Sequence, residues 1–238
     1  MKLNEVFDYL KYGELGNVNL GVPDVDSIVG EIKPEHYPKL IAHTNMALTA
    51  LYTRFWLSSK EVIIQLVPHI QQYWLDRKYA DTNELSAEPY RYIMDSVFDP
   101  FLGDVLKIEE IHNEGGEIVY LNDLTQPWSV FTPTYNSIQI PYPMWCNSLV
   151  VHYRANHPRI DLQTKDPAQV ELQIPEGFLE PLLFYIAHRV FASMNVDNDG
   201  ESNNYLQKYE MSCKGLETKG LHITPNYSNL QLDRNGWK

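Results

Sequence analysis

Apolar residues recur along this chain with two different periods, and the switches between them divide it into three stretches. Over residues 3–10, Val6, Phe7 and Leu10 fall on one side of a short helix. A loop bearing Gly16, Gly21, Pro23 and Gly30 follows, and Pro34 and Pro38 introduce a stronger element. There Leu40, Ile41, Ala47, Leu48, Leu51, Phe55 and Trp56 return every three or four positions. That spacing predicts a helix over 39–56 with one buried face.

Ser58-Ser59 ends this pattern and the period shortens. Val62, Ile64 and Leu66 alternate with polar or edge positions, Pro68-His69 reads as a turn, and Ile70, Gln72 and Trp74 resume the alternation. The stretch predicts a β-hairpin. Within 81–103, Tyr92, Ile93, Val97 and Phe98 are spaced for a short helix stopped by Pro100. A second hairpin is expected where Val105, Ile108 and Ile111 precede Asn113-Glu114-Gly115-Gly116, with Ile118, Val119 and Leu121 after it. Glycine accepts the positive φ that such turns require. Short strands are expected at 137–140, 148–154 and 170–174, among loops carrying Pro127, Pro133, Pro141, Pro143, Pro158 and Pro167. Many short strands with turn signals between them indicate a small sandwich or barrel.

The helical period returns at Pro175, which suits a first turn because it has no N–H to leave unpaired. Phe178, Leu179, Leu182, Leu183, Ile186, Ala187, Val190, Phe191 and Met194 form the widest apolar stripe in the chain. A loop over 195–200 leads to a last helix over 201–220, with Tyr205, Leu206, Tyr209, Cys213 and Leu216 inward and Gly220 as its stop. Residues 221–238 are polar and rich in asparagine, the composition of an extended arm. The expected class is α+β. Residues 1–59 and 175–222 would form a helical bundle, 60–174 an inserted β-rich domain (barrel or sandwich), and 223–238 the arm.

Composition narrows the function. The 238 residues carry 19 Lys and Arg against 31 Asp and Glu, a net charge of −12. That balance disfavours gripping a phosphate backbone, yet it is compatible with an acidic channel past which DNA slides. Tyrosine is abundant, with 16 copies, and its apolar body and polar tip suit subunit interfaces and half-buried core positions alike. The cysteines, Cys146 and Cys213, are too few for a disulfide framework or a zinc site and read as reduced. Acidic residues in the first eight positions argue against a signal peptide, and the apolar run Leu182 to Ala187 is too short to span a bilayer. The expectation is a protein that stays where it is made, with no membrane contact.

Candidate chemistry is sparse. Asn195-Val196-Asp197-Asn198-Asp199-Gly200 matches the first half of a calcium-binding EF-hand loop, but Leu206 occupies the twelfth position, where a bidentate glutamate belongs. His36 and His43 have no third ligand nearby, and His152 and His157 flank the end of a strand. His188 lies in the apolar helix and reads as a core or interface histidine. Glu109-Glu110 and Glu114 with Glu117 have the residue type for glycoside cleavage, but they sit on a hairpin and its turn, where solvated charge is normal. Arg154, His157 and Arg159 form the densest basic patch, and it is small. No nucleophile elbow or phosphate-cradling glycine motif occurs. The expectation is no enzyme activity, no catalytic residues, no cofactor and no metal.

Several segments together resemble the head-to-tail adaptor (connector) proteins of podovirus-type tailed bacteriophages. They are the helix over 37–57, the run Leu172-Gln173-Ile174-Pro175-Glu176-Gly177-Phe178 leading into residues 182–191, and Tyr205-Leu206-Gln207-Lys208-Tyr209-Glu210. The stretch Val151-His152-Tyr153-Arg154-Ala155-Asn156-His157-Pro158 adds to the similarity, which covers residues 1–220. The resemblance implies a virion protein assembled in the host cytoplasm as a ring, commonly twelve-fold. Such a ring docks on the portal protein, extends the DNA channel and carries the tail nozzle or tube. It implies no enzyme activity and only non-specific proximity to viral DNA. The wide apolar arc of the 178–194 helix suits packing between neighbouring subunits, through Phe178, Leu182, Phe184 and Tyr185. The arm suits a portal or neighbour groove, with Tyr227, Leu230, Leu232 and Trp237 as anchors.

Rival readings start from other residues. A different neck or tail-tube protein shares the structural logic. A cell-wall hydrolase would use Glu110 or Glu117, and a carbohydrate-binding β-module would use Trp128 and Trp145.

Overall fold

A computed structural model of the chain describes residues 1–16, 32, 34–140, 146–193 and 199–220. The fold is mixed α+β, with four helices and two antiparallel sheets among these residues. It divides into two compact units, one formed by Met1–Leu57 with the residues from Pro158 onward and the other by Ser58–His157.

The first unit is helical. Helix α1 (Leu3–Tyr12) buries Leu3, Val6, Phe7 and Leu10, and α2 (Tyr37–Arg54) buries Leu40, Ile41, Thr44, Ala47, Leu48 and Leu51. Both follow the three-and-four spacing of the sequence. A single 3-10 turn, Glu176–Phe178, leads into α3 (Leu179–Ala192), and α4 (Asp199–Thr218) closes the unit. Gly220 takes φ +67°, the left-handed conformation that ends a helix without a Cβ clash. The buried faces of all four helices merge into one core with Ile160, Leu172 and Ile174.

Residues 158–174 therefore belong with the helices, where the sequence pattern had placed them in the β-rich part. Nor do 170–174 form a ladder strand. Their alternation instead ties this segment to the start of α1: Leu3 N–H donates to the Val170 carbonyl (3.0 Å) and Leu172 N–H to that of Met1 (2.8 Å). Leu172 and Ile174 thereby point into the helical core.

Among its described residues the second unit holds seven strands: β1 (Ser59–Gln65), β2 (Gln72–Trp74), β3 (Ile93–Met94), β4 (Val105–Asn113), β5 (Phe131–Thr134), β6 (Ser137–Gln139) and β7 (Ser148–Ala155). One sheet runs β3-β1-β7-β4 and the other β2-β6-β5. The inner faces of both contribute to a single core, in which Val62, Ile64, Tyr73, Ile138, Leu149, Val151 and Tyr153 meet.

Two expectations fail in this unit, and a third holds only near its turn. The hairpin expected over 62–74 does not form, since β1 pairs with β3 and β7 while β2 pairs with β6. Between β1 and β2 the chain crosses from one sheet to the other: Leu66 N–H donates to the Asn147 carbonyl (2.8 Å), and His69 adopts φ 76°. The inward register of β2 also differs by one residue, so Tyr73 and Leu75 are buried while Trp74 is exposed. The helix expected around 92–98 is a two-residue strand followed by a turn: Ile93 and Met94 pair with Ile64 and Ile63 of β1, and the Asp95 carboxylate accepts from Thr82 and the Phe101 N–H. At 113–116 the expected turn is present, with Gly116 at φ +80°, and the chain returns antiparallel to β4: Asn113 N–H donates to the Glu117 carbonyl (3.0 Å) and Val119 N–H to that of Ile111 (2.8 Å), around a bridge between His112 and Ile118, after which Leu121 leaves β4 to bridge Val130.

Candidate functional site

The residues expected between subunits lie on or beside α3. Phe178 is 3% exposed and Leu182 fully buried, so both are held by their own chain. The rings of Phe55 and Phe178 meet at 4.9 Å. Phe184 and Tyr185 are half-buried: Lys208 Nζ stands 5.7 Å from the Phe184 ring, and Tyr185 meets Tyr209 edge-on at 5.1 Å. Much of the wide apolar arc of α3 is taken up by α1, α2 and α4. The arm anchors Tyr227, Leu230, Leu232 and Trp237 lie outside the described residues, as do Trp145 and most of the loop over 195–200.

Electrostatics reinforce this helical packing. At the end of α2, Arg54 donates to two carboxylates of α4, Glu210 (Nη1 to Oε2, 2.7 Å) and Glu217 (Nε to Oε1, 2.7 Å). The Ser202 hydroxyl lies 2.9 Å from His188 Nδ1, which gives that histidine a structural partner between α3 and α4. His43 differs: both its ring nitrogens are buried without a hydrogen-bond partner. Burial, with the nearby cations Lys39 and Arg189, pushes its pKa down to about 4, so it is neutral at ordinary pH. Burial likewise lifts the Cys213 thiol to about 11, which leaves it protonated and unreactive.

In the second unit each acidic residue weighed for catalysis has a local partner. Glu109 pairs with Arg154 (2.8 Å) and Lys107 (2.7 Å), Glu117 accepts from the Asn113 amide group (2.9 Å), and Glu114 accepts from the Asn147 N–H (3.3 Å). Glu110 approaches His112 at 3.5 Å, and the ring of His112 meets that of His152 edge-on at 4.8 Å. Glu61 lies 3.8 Å from His152. The outer face of the sheet thus carries a short row of carboxylates and imidazoles, held by cross-strand register between β1, β7 and β4. Pairing with Glu109 also removes Arg154 from the basic patch inferred from the sequence.

Among the described residues, no group of three or more His, Cys, Asp and Glu side chains is placed to hold a metal ion. Nor is any described helix long and apolar enough to cross a membrane. No protein-family model matches the chain, and no curated protein matches it.

The sequence reading missed the turn after β3. Val97 and Phe98 project from it, 83% and 100% exposed, and Asp95 fixes its base. The signal was present: Asp-Ser before the two apolar residues and Asp-Pro after them mark a side-chain-capped turn.

Proposed function

We propose that this chain is a non-enzymatic structural subunit of a tailed-phage virion, a head-to-tail adaptor. In this reading it assembles as a ring, commonly twelve-fold, docks on the portal protein, extends the DNA channel and carries the platform for the tail nozzle or tube. One observation carries the reading. The helical segments whose sequences resemble adaptors, with the 172–178 run, converge in one core: Phe55 after α2 packs on Phe178, Arg54 holds Glu210 and Glu217, and Phe191 stacks on Tyr205 at 5.2 Å.

The finer architecture follows from the same reading. The helices form a bundle from both parts of the chain, interrupted by a small two-sheet sandwich. The arm over 223–238 is the portal or neighbour contact, with Tyr227, Leu230, Leu232 and Trp237 as anchors. The net charge of −12 keeps packaged DNA from adhering to the ring, so contact with viral DNA is non-specific.

Electron cryo-microscopy of the virion tests the assignment. The expected result is density for this chain between portal and tail. Density elsewhere, for example along a tail tube, supports the rival neck or tube reading instead.

A further inference from the structure

The outermost strand of one sheet, β4, and that of the other, β5, both contribute to a cavity of about 390 Å³ in the second unit. Lys107 and Glu109 line it from β4, Thr132 and Thr134 from β5, Asn122 from the segment before β5, and Tyr135 from the turn after it. Its volume lies in the lower part of the roughly 300–1,000 Å³ range of small-molecule sites.

The lining mixes hydrogen-bond donors with acceptors. Its two charged side chains neutralise each other, Lys107 Nζ to Glu109 Oε2 at 2.7 Å, and Arg154 of β7 takes the second Glu109 oxygen at 2.8 Å. The Asn122 amide nitrogen donates to Thr132 Oγ1 (2.9 Å), and Asn122 Oδ1 accepts from the Thr132 N–H (2.9 Å). Thr134 Oγ1 lies 2.7 Å from Ser137 Oγ. An ammonium carries three hydrogens, a side-chain amide nitrogen two, and each carboxylate oxygen two lone pairs. Beyond the bonds made among the described residues, donors therefore remain on Lys107 and Asn122, and lone pairs on Glu109 and Thr134. Alcohol hydroxyls both donate and accept, so a polyhydroxyl compound satisfies this mixture. A carboxylate or phosphate supplies acceptors alone, and an ammonium donors alone.

The groups are also held in place. Asn122 adopts φ 56°, a left-handed conformation that asparagine tolerates, and its bonds to Thr132 fix the amide. Tyr135 stands 64% exposed on the turn between β5 and β6, which the Thr134 bonds to Ser137 close. A tyrosine ring at the rim of a polar cavity offers an apolar face and a wet tip, the surface a sugar ring needs for its C–H face. An extended peptide fits less well. Strand β4 is irregular here, with register shifts between Val105 and Lys107 and between Ile108 and Glu110, and bulges of this kind blunt an edge against strand addition.

We propose that this cavity binds a neutral saccharide, with Tyr135 against a sugar ring and Asn122, Lys107 and Glu109 on its hydroxyls. The site is independent of the adaptor reading, since no portal or neighbouring subunit enters it.

The test uses the full isotope-labelled chain and a panel of neutral disaccharides of glucose, galactose, mannose or N-acetylglucosamine. Each is titrated to about 10 mM, enough to detect millimolar affinity. At least one sugar should shift the amide NMR signals of residues 107–109 and 132–135 and the side-chain amide of Asn122. Tyr135→Ala should weaken that binding about tenfold with the melting temperature unchanged, because the ring is exposed. Asn122→Gly, which keeps the left-handed backbone accessible, should weaken it by a similar factor. No shift with any sugar, shifts confined to other residues, or a Tyr135→Ala variant that binds as tightly would overturn the proposal. So would the same signals responding to a synthetic peptide of residues 221–238 and to no sugar.

Discussion

The ring of Phe178 meets that of Phe55 edge-on, with centroids 4.9 Å apart and planes at 75°. This pair joins the residue after α2 to the turn before α3, within the core of the helical unit. Phe178→Ala should therefore lower the stability of the isolated chain by roughly 3–5 kcal/mol. Chemical denaturation checks this. An unchanged midpoint would mean that Phe178 serves a neighbouring subunit instead of its own core.

Arg54 is the polar counterpart of that contact. Its guanidinium is largely covered while Glu210 and Glu217 remain nearly half exposed, so each pair contributes about 1 kcal/mol or less. Arg54→Met keeps the stem packed and removes both bonds. It should lower the melting temperature at low salt, and the deficit should shrink in about 1 M NaCl, where such pairs are screened.

His43 makes the helical unit sensitive to acid. Unfolded, its imidazole takes up a proton near the ordinary value of 6.5; folded, burial and the cations Lys39 and Arg189 hold off protonation until about 4. Between these values the unfolded chain binds more protons, so this contribution to stability is complete above 6.5 and is lost as the pH falls toward 4. Melting temperatures across that window should fall less steeply in His43→Met than in the wild type. Equal slopes would remove His43 from the account.

Asp95 governs the turn after β3. Burial alone would raise its carboxyl pKa, but the bonds from Thr82 and the Phe101 amide outweigh that and hold it below the ordinary value of 3.8. The brace is therefore fully present above pH 3.8 and weakens as the pH falls through the lower folded-state value. At neutral pH, Asp95→Ala should expose residues 96–99 to faster proteolysis, read by mass spectrometry of limited digests. Cleavage at the wild-type rate would show that the turn holds without the brace.

The helices were legible in the sequence because a buried face repeats locally. Leu40, Ile41, Ala47, Leu48 and Leu51 specify α2 without reference to any other segment. The sheets were less so. Strands β1 and β7 showed their alternation, but nothing local records that β1 pairs with a segment some ninety positions later rather than with β2. The segment 170–174 alternates like a strand, yet its buried side chains face helices. The Val97-Phe98 tip was misread because two apolar residues in succession suggest burial, and only the bonds made by Asp95 reverse that. The arm anchors fall outside the described residues, so the structure adds nothing to them.

The proposed adaptor role requires this chain to dock on a portal ring. Mass photometry of the purified chain mixed with assembled portal rings tests it most directly. A discrete new species is expected, heavier than the portal by an integral number of 27.7 kDa subunits and diminished when residues 223–238 are deleted. Portal rings that keep their own mass at saturating concentrations of the chain would contradict it.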